Sequence, residues 1–368
     1  MKIAFLFNGQ GSQYLGMGKD IYEHFSLARD IYRKVSETTG IDVVDVSFYG
    51  TPELIRDSKH AHVCLLALEM SIFNLLLSRN LRPDIAAGFS LGEYPALMAA
   101  GGLSFDDGVQ TVFARGSLMS ESASTKDGTM ALIDGLTRDA LEKILRQTGE
   151  HVSIASVNTE SQFFISGQRR KIEYLVDLTK ERGAASLLLP VGGAFHSPSI
   201  EDVSIAFKER LQNVVFSHLR LPVIGNVQAS VLSTPEEIYE DISEQLLSPV
   251  QWYKTILKML ELGVTTFVEI GPGHGLTGMV KKINSTAELL ITKNVEELHR
   301  TIERLTEIIY APSRTRGLVY QPELGVQNLP NDRAPLRMPI EDDAVQKTKA
   351  LLEILQKRED SPSKQSKS

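Results

Sequence analysis

The sequence predicts an α/β protein in which a parallel sheet, covered by helices on both faces, is interrupted by a smaller β-α-β-β-α-β unit. Three observations predict it. Short, wholly apolar runs such as 3–7 and 85–87 alternate with longer helical patterns, and strands of that kind lie buried on both faces of a parallel sheet. Gly88-Phe89-Ser90-Leu91-Gly92 places a serine between two glycines where a strand turns into a helix. That is the pattern of a nucleophile elbow, which points to an α/β-hydrolase-like large domain. Across 127–191 the order of elements changes, and afterwards it changes back.

Residues 3–7 read as a short buried strand that empties into Asn8-Gly9-Gln10-Gly11-Ser12-Gln13, and 20–40 follow with helical spacing. A helix over 61–79 comes next. Its apolar stretch, 63–77, is broken by Glu69, Ser71 and Asn74 and falls short of the roughly 20 apolar residues that span a bilayer, so it reads as a buried core helix. The strand, elbow and helix around Ser90 complete this part. The middle segment then offers a strand at 130–133, a helix over 137–147, strands at 152–157 and 163–166, a helix over 169–182 and a strand at 186–189. This order is the ferredoxin-like one. Helices near 200–213 and 235–247, a strand at 265–270 and a helix over 275–283 resume the first pattern. The large domain is therefore expected to be discontinuous, 1–126 with 192–310, around a ferredoxin-like small domain at 127–191. Prolines among charges mark the C-terminal extension, 311–368, where helical periodicity returns over 342–358 before a polar end. Partial disorder is expected there, with a passive or a docking role equally open.

With 368 residues, the chain is long enough for two cores, since one core rarely grows beyond about 250 to 300 residues. Its net charge of −7 disfavours nonspecific binding of nucleic acid or anionic lipid. The single cysteine, Cys64, excludes an intramolecular disulfide, lacks the companions of a zinc site and reads as a buried helix residue. No signal peptide is expected in the first residues, whose short apolar run soon meets glycines. A cytoplasmic monomer without metal, redox cofactor, nucleic-acid or membrane partner is expected.

An elbow needs small residues on either side of its apex, where a Cβ would strike neighbouring backbone. The serine hydroxyl then projects, and backbone N–H groups with the positive end of the next helix face any oxygen that becomes negative during acyl transfer. A glycine-rich strand-to-helix loop without chemistry would show the same pentapeptide, so the context decides. A serine hydroxyl needs a base. Two of the eight histidines stand in glycine-rich loops just after strands, His196 in Val191-Gly192-Gly193-Ala194-Phe195-His196 and His274 in Ile270-Gly271-Pro272-Gly273-His274. The position of His196 at a domain junction, where clefts form, favours it. No acid announces itself as a third partner, and a backbone or amide carbonyl meets the same geometric need.

Phe7-Asn8-Gly9-Gln10-Gly11-Ser12-Gln13, the elbow with Glu93, Arg115-Gly116, Gly193-Ala194-Phe195-His196-Ser197 and Ser248-Pro249-Val250-Gln251-Trp252 together resemble the landmarks of malonyl-CoA:acyl carrier protein transacylases. The resemblance covers about residues 1–295. It implies an acyltransferase that moves malonyl from malonyl-CoA to the phosphopantetheine thiol of an acyl carrier protein by a ping-pong route, with no cofactor beyond the CoA substrate. Ser90 would be the nucleophile and His196 the base and acid. The N–H groups of Gln10 and Leu91 would form the oxyanion hole, each worth about 3 to 4 kcal/mol. The Gln251 carbonyl would orient His196, and Arg115 would clamp the free carboxylate of the malonyl group with two parallel donors. Asn158 matches an asparagine near the family's site, although a turn-forming role suits it equally. Phe195 would narrow the space beside the α-carbon, where one methyl is worth about 1 to 3 kcal/mol.

Phe89 departs from the pattern, for most members have histidine before the serine, and phenylalanine neither donates a hydrogen bond nor carries charge. Weaker malonyl binding is the expected consequence. The long extension resembles stand-alone acyltransferases that serve polyketide or fatty-acid assembly lines in trans. Two other functions compete: an acyl hydrolase of the same fold releasing acyl groups from carrier proteins, and a noncatalytic carrier-docking scaffold.

Overall fold

The strand Lys2–Phe7 sends Ile3, Phe5 and Phe7 into one apolar core and Ala4 and Leu6 into another. A chain with a two-residue repeat does this only when both faces of its sheet are covered. The computed structural model describes residues 2–148 and 152–310. The extension 311–368, with the helical pattern expected over 342–358, lies outside the described residues.

Ten strands are described: β1 (Lys2–Phe7), β2 (Ile85–Gly88), β3 (Gly128–Asp134), β4 (Val152–Val157), β5 (Gln162–Gln168), β6 (Ala185–Leu188), β7 (Val223–Ile224), β8 (Val231–Leu232), β9 (Val264–Ile270) and β10 (Glu288–Ile291). Six of them form one sheet in the order β10-β9-β1-β2-β7-β8, parallel except for the closing β7–β8 hairpin. The carboxyl ends of β9, β1 and β2 therefore lie side by side, and their loops define one crevice. The other four make an antiparallel sheet, β4-β5-β3-β6. With the helices Arg138–Thr148 and Arg169–Glu181, this is the expected ferredoxin-like unit. Ile133, Phe163 and Ile165 pack on those helices, whereas Met130 and Phe164 point out of the opposite face into the crevice. A bridge from Ser156 to Val250 ties the small sheet to the segment between β8 and β9 of the large one.

Several elements differ from expectation. The helical pattern over 20–40 is two helices, Lys19–His24 and Ser26–Thr39, because Phe25 between them is extended. The short strands β7 and β8, the edge strand β10 and the helices Trp252–Glu261 and Val295–Tyr310 were not foreseen. A two-residue strand shows no periodicity to read.

The helix Ser58–Leu77 is, by length and composition, apolar enough to cross a bilayer. Sixteen of its 20 residues are buried here, and it packs as the central helix on one face of the large sheet. Cys64 is buried within it, and burial pushes its thiol up to about 12. Glu69 is fully buried in the same helix, and burial, assisted by the charge of Glu269, holds its carboxyl well above the usual 4.5. The folded chain thus keeps a proton that the unfolded chain releases. The stability linked to Glu69 is full below about pH 4.5 and falls as pH rises toward the folded value. Glu69→Gln is expected to melt at a higher temperature than the parent at pH 8, with the gap narrowing toward pH 5. Melting curves across that range test it.

Candidate active site

Ser90 stands at the apex between β2 and the helix Glu93–Ala100, with a positive φ of 52°. The turn is tight enough to demand both glycines. A Cβ on Gly88 would lie 1.8 Å from the carbonyl carbon of Gly92, and one on Gly92 would lie 2.2 Å from the Phe7 oxygen at the end of β1. A left-handed serine costs on the order of 1 to 3 kcal/mol and must be held. Asn226 does this: its Oδ1 accepts the Ser90 N–H at 2.7 Å and its Nδ2 donates to the Gly88 carbonyl at 2.8 Å.

His196, also at positive φ (55°), brings Nε2 to 2.7 Å from the Ser90 hydroxyl oxygen. Its Nδ1 faces two backbone carbonyls, those of Gln245 at 2.9 Å and Ser248 at 3.1 Å. Carbonyls only accept, so the proton sits on Nδ1 and the lone pair on Nε2 points at the hydroxyl. The imidazole is therefore set as a base. Burial, with the charge of Arg115, lowers its pKa from 6.5 to about 4.

Arg115, in the helix Phe105–Thr125, has no exposed surface. Its Nη2 donates to the Ser90 hydroxyl at 2.9 Å and to Gln245 Oε1 at 3.0 Å, and its guanidinium lies 5.5 Å from the ring centre of Tyr94. The Gln245 amide also donates to the Ser90 carbonyl at 3.0 Å and to Glu93. One glutamine thus contacts Arg115 and Ser90 through its side chain and His196 through its backbone.

A cavity of about 520 Å³ opens onto Ser90 and His196. Its walls are Phe89, Met119, Met130, Phe164, Leu189 and Phe195, and its rim includes Gln10, Tyr14, His274 and Lys293. Phe89 meets Phe164 and Trp252 edge-on, at 6.0 and 5.5 Å between ring centres. Gln10 follows β1 and Leu91 follows Ser90, so both backbone positions belong to the loops around the hydroxyl. The Gln10 side chain turns away toward Ser58 and His62.

Two expected site residues are placed elsewhere. Gln251 does not orient His196. It caps the helix Trp252–Glu261, where its carbonyl accepts from Thr255 at 2.9 Å and its N–H donates to Asn226 at 2.9 Å, so the carbonyls of Gln245 and Ser248 take that task. Asn158 does not line the cavity. It is fully buried at the β4–β5 turn, where its N–H donates to Gln162 at 2.9 Å and its side chain accepts from Ser156. His274, the other candidate base, is an exposed cap of the helix Gly275–Ile283 at the rim. Sequence reasoning missed Gln245, Asn226 and His62. The nearest signal was the heading of Ser248-Pro249-Val250-Gln251-Trp252, which points to the right stretch and the wrong glutamine.

A hydroxyl held at a strained elbow, a neutral imidazole behind it and a cavity over both define a serine acyltransferase-type site on an α/β scaffold. The family profile described as acyl transferase domain matches residues 4–304, and the chain belongs to that family. It is 38% identical to the malonyl CoA-acyl carrier protein transacylase of Bacillus subtilis over 310 residues, 83% of this chain and 98% of the relative. The crystal structure of the enzyme of that name from Clostridium perfringens superposes with a TM-score of 0.79 at 32% identity, covering 84% of this chain and 98% of the other. A malonyl-transacylase solved in complex with its type II polyketide synthase acyl-carrier protein gives a TM-score of 0.79 at 29% identity, over 83% and 100%.

With His196 as the base, acylation would need its ring unprotonated. With subsaturating acyl donor, where the free enzyme sets the profile, the rate of acyl-enzyme formation is expected to stay level as pH falls from 7.5 to about 5 and to be halved near the low pKa of about 4. A rapid-quench profile with its midpoint at an ordinary histidine value, near 6.5, would contradict this burial.

Proposed function

We propose that this chain transfers malonyl from malonyl-CoA to the phosphopantetheine thiol of an acyl carrier protein through an ester on Ser90. One observation carries the choice of acyl group. Arg115 is a fully buried cation with no carboxylate within ion-pair distance among the described residues. A site for uncharged acyl chains has no use for such a charge, whose burial is costly. Its donor stands 2.9 Å from the nucleophilic oxygen, which suits a carboxylate one methylene beyond the reacting carbonyl.

In this reading His196 Nε2 takes the Ser90 proton as Oγ attacks the thioester carbonyl. The N–H groups of Gln10 and Leu91 receive the oxyanion. Collapse expels the CoA thiolate, which takes the proton from His196 and leaves the malonyl ester. The carrier thiol then gives its proton to His196, attacks the ester and departs as the malonyl thioester, while His196 returns that proton to Ser90 Oγ as its ester bond breaks. The carboxylate on Arg115 replaces the Ser90 hydroxyl as partner of Nη2 and keeps water from that side. Phe89 and Phe195 form the apolar walls that limit the group on the α-carbon. The transacylase names of the relatives support transfer over the hydrolase alternative, and the carrier complex of one neighbour supports an acyl carrier protein as partner. We place the enzyme in the cytoplasm, as a monomer supplying a fatty-acid or polyketide assembly line. Its domain limits are taken as 1–126 with 192–310 around 127–191, in keeping with the two sheets.

Ser90→Ala is expected to give no acyl adduct by intact-mass analysis after incubation with malonyl-CoA. An adduct on that variant removes Ser90 from the mechanism. Arg115→Ala is expected to lose at least about a hundredfold in kcat/KM for malonyl-CoA, the scale of one buried charge-assisted contact, and far less for acetyl-CoA. Equal losses would deny Arg115 the carboxylate.

A further inference from the structure

The side chain of Gln10 is anchored outside the cavity. Its Nε2 donates to Ser58 Oγ at 3.0 Å, and its Oε1 lies 2.9 Å from His62 Nε2. Ser58 and His62 are four residues apart at the start of the helix Ser58–Leu77, so they share one face. Arg115 Nη1 lies 3.4 Å from the same ring nitrogen.

The ring has little freedom. His62 is fully buried, and a Cβ on Gly116, next to Arg115, would lie 2.9 Å from His62 Nδ1 and 2.7 Å from the Ser58 carbonyl. The helix Phe105–Thr125 therefore passes close against the imidazole and the turn of Ser58–Leu77 that carries it. Burial and the charge of Arg115 hold its pKa well below 6.5, so it adds no second cation.

We propose that His62 is a positioning residue that sets the oxyanion loop, through the Gln10 side chain, and the angle of the Arg115 guanidinium, through contact with its Nη1 edge. The proposal rests on the roles given above to Gln10 and Arg115. No part of His62 touches the cavity wall, so it acts only through these two neighbours. Its removal frees the loop and the cation together. A small displacement of reacting groups costs up to about a hundredfold in rate, and the two neighbours serve different parts of the substrate. The oxyanion loop serves any thioester, whereas the guanidinium serves only one that bears a carboxylate.

The test is the rate of Ser90 acylation in the full chain, by rapid quench and intact mass, with malonyl-CoA and acetyl-CoA as separate donors. His62→Ala is expected to slow acylation by acetyl-CoA about tenfold and by malonyl-CoA several times more, so that the preference for malonyl falls. Glutamine carries its amide nitrogen the same number of bonds from Cβ as histidine carries Nε2, and His62→Gln is expected to restore both rates to within about threefold. If His62→Ala does not fold, His62→Asn, one bond too short to reach Gln10, takes its place with the same expected losses. Unchanged rates, a fall equal for the two donors, or a glutamine variant as slow as the truncated one overturns the proposal. Parent enzyme that forms no malonyl adduct at all points instead to failure of the functional reading, and the same experiment shows which has failed.

Discussion

Arg115 holds a positive charge with no exposed surface, and the groups around Ser90 are arranged to tolerate it. An arginine remains protonated even where burial lowers its pKa, as it does here, so the charge must be met by its surroundings. What meets it is mostly dipoles: the Ser90 hydroxyl, the Gln245 amide oxygen and the face of Tyr94. The nearest acid acts at one remove, through the Gln245 amide that reaches Glu93. Burial and Asp241 hold Glu93 well above its usual range, so the counter-charge is weak as well as distant. The resulting field is left open toward the hydroxyl. Truncating Gln245 would take one acceptor from Arg115 Nη2 and the amide donor from the Ser90 carbonyl, while the backbone carbonyl that faces His196 would stay in place.

The scaffold resists this load because strain and support are placed together. Ser90 and His196 both occupy left-handed backbone, which non-glycine residues avoid by on the order of 1 to 3 kcal/mol. Asn226 joins the end of β2 to the apex of the elbow with one amide, and its own N–H is shared between Glu93 at 3.2 Å and Asp241 at 3.0 Å. The acidic pair beneath the elbow thus has a mechanical part as well as an electrostatic one. His196 gains rigidity from two carbonyls in place of a carboxylate and from the Ser197 hydroxyl, which donates to the Ala194 carbonyl at 2.6 Å.

How much of this was legible in the sequence depends on the range over which each residue acts. Ser90 leaves a local trace, because the glycines that make room for it are two positions away on either side. The ferredoxin-like unit was legible because its elements are long enough to show their period. Asn226 and Gln245 act on residues 136 and 155 positions away through single hydrogen bonds, and such contacts impose no pattern on the neighbouring residues. Gln251 was misplaced for a related reason. Its motif marks the segment that carries the carbonyls, but its own backbone is committed to starting a helix. Asn158 shows the opposite case, a polar residue beside the expected site whose side-chain oxygen is taken up next to its own turn, by Ser156. The break at Phe25 is a single extended residue between two helices of the same amphipathic sense, which spacing alone cannot distinguish from a continuous one.

The use of carbonyls to orient His196 follows from the cation beside it. An aspartate behind an imidazole favours the protonated ring, whereas carbonyls fix the tautomer and leave the ring weakly basic, as burial and Arg115 require. A weak base takes a proton reluctantly and returns it readily to a departing thiolate. An incoming carboxylate changes this balance, because it offsets the charge of Arg115 and so removes one of the two influences that depress the pKa of the ring. In the proposed reaction the substrate therefore strengthens the base that acts on it. Once the malonyl group has left on the carrier, Arg115 faces the hydroxyl again and the ring returns to its weak state. Selectivity for an acidic acyl group and activation of the nucleophile then share one physical origin, the buried charge held against the Ser90 hydroxyl.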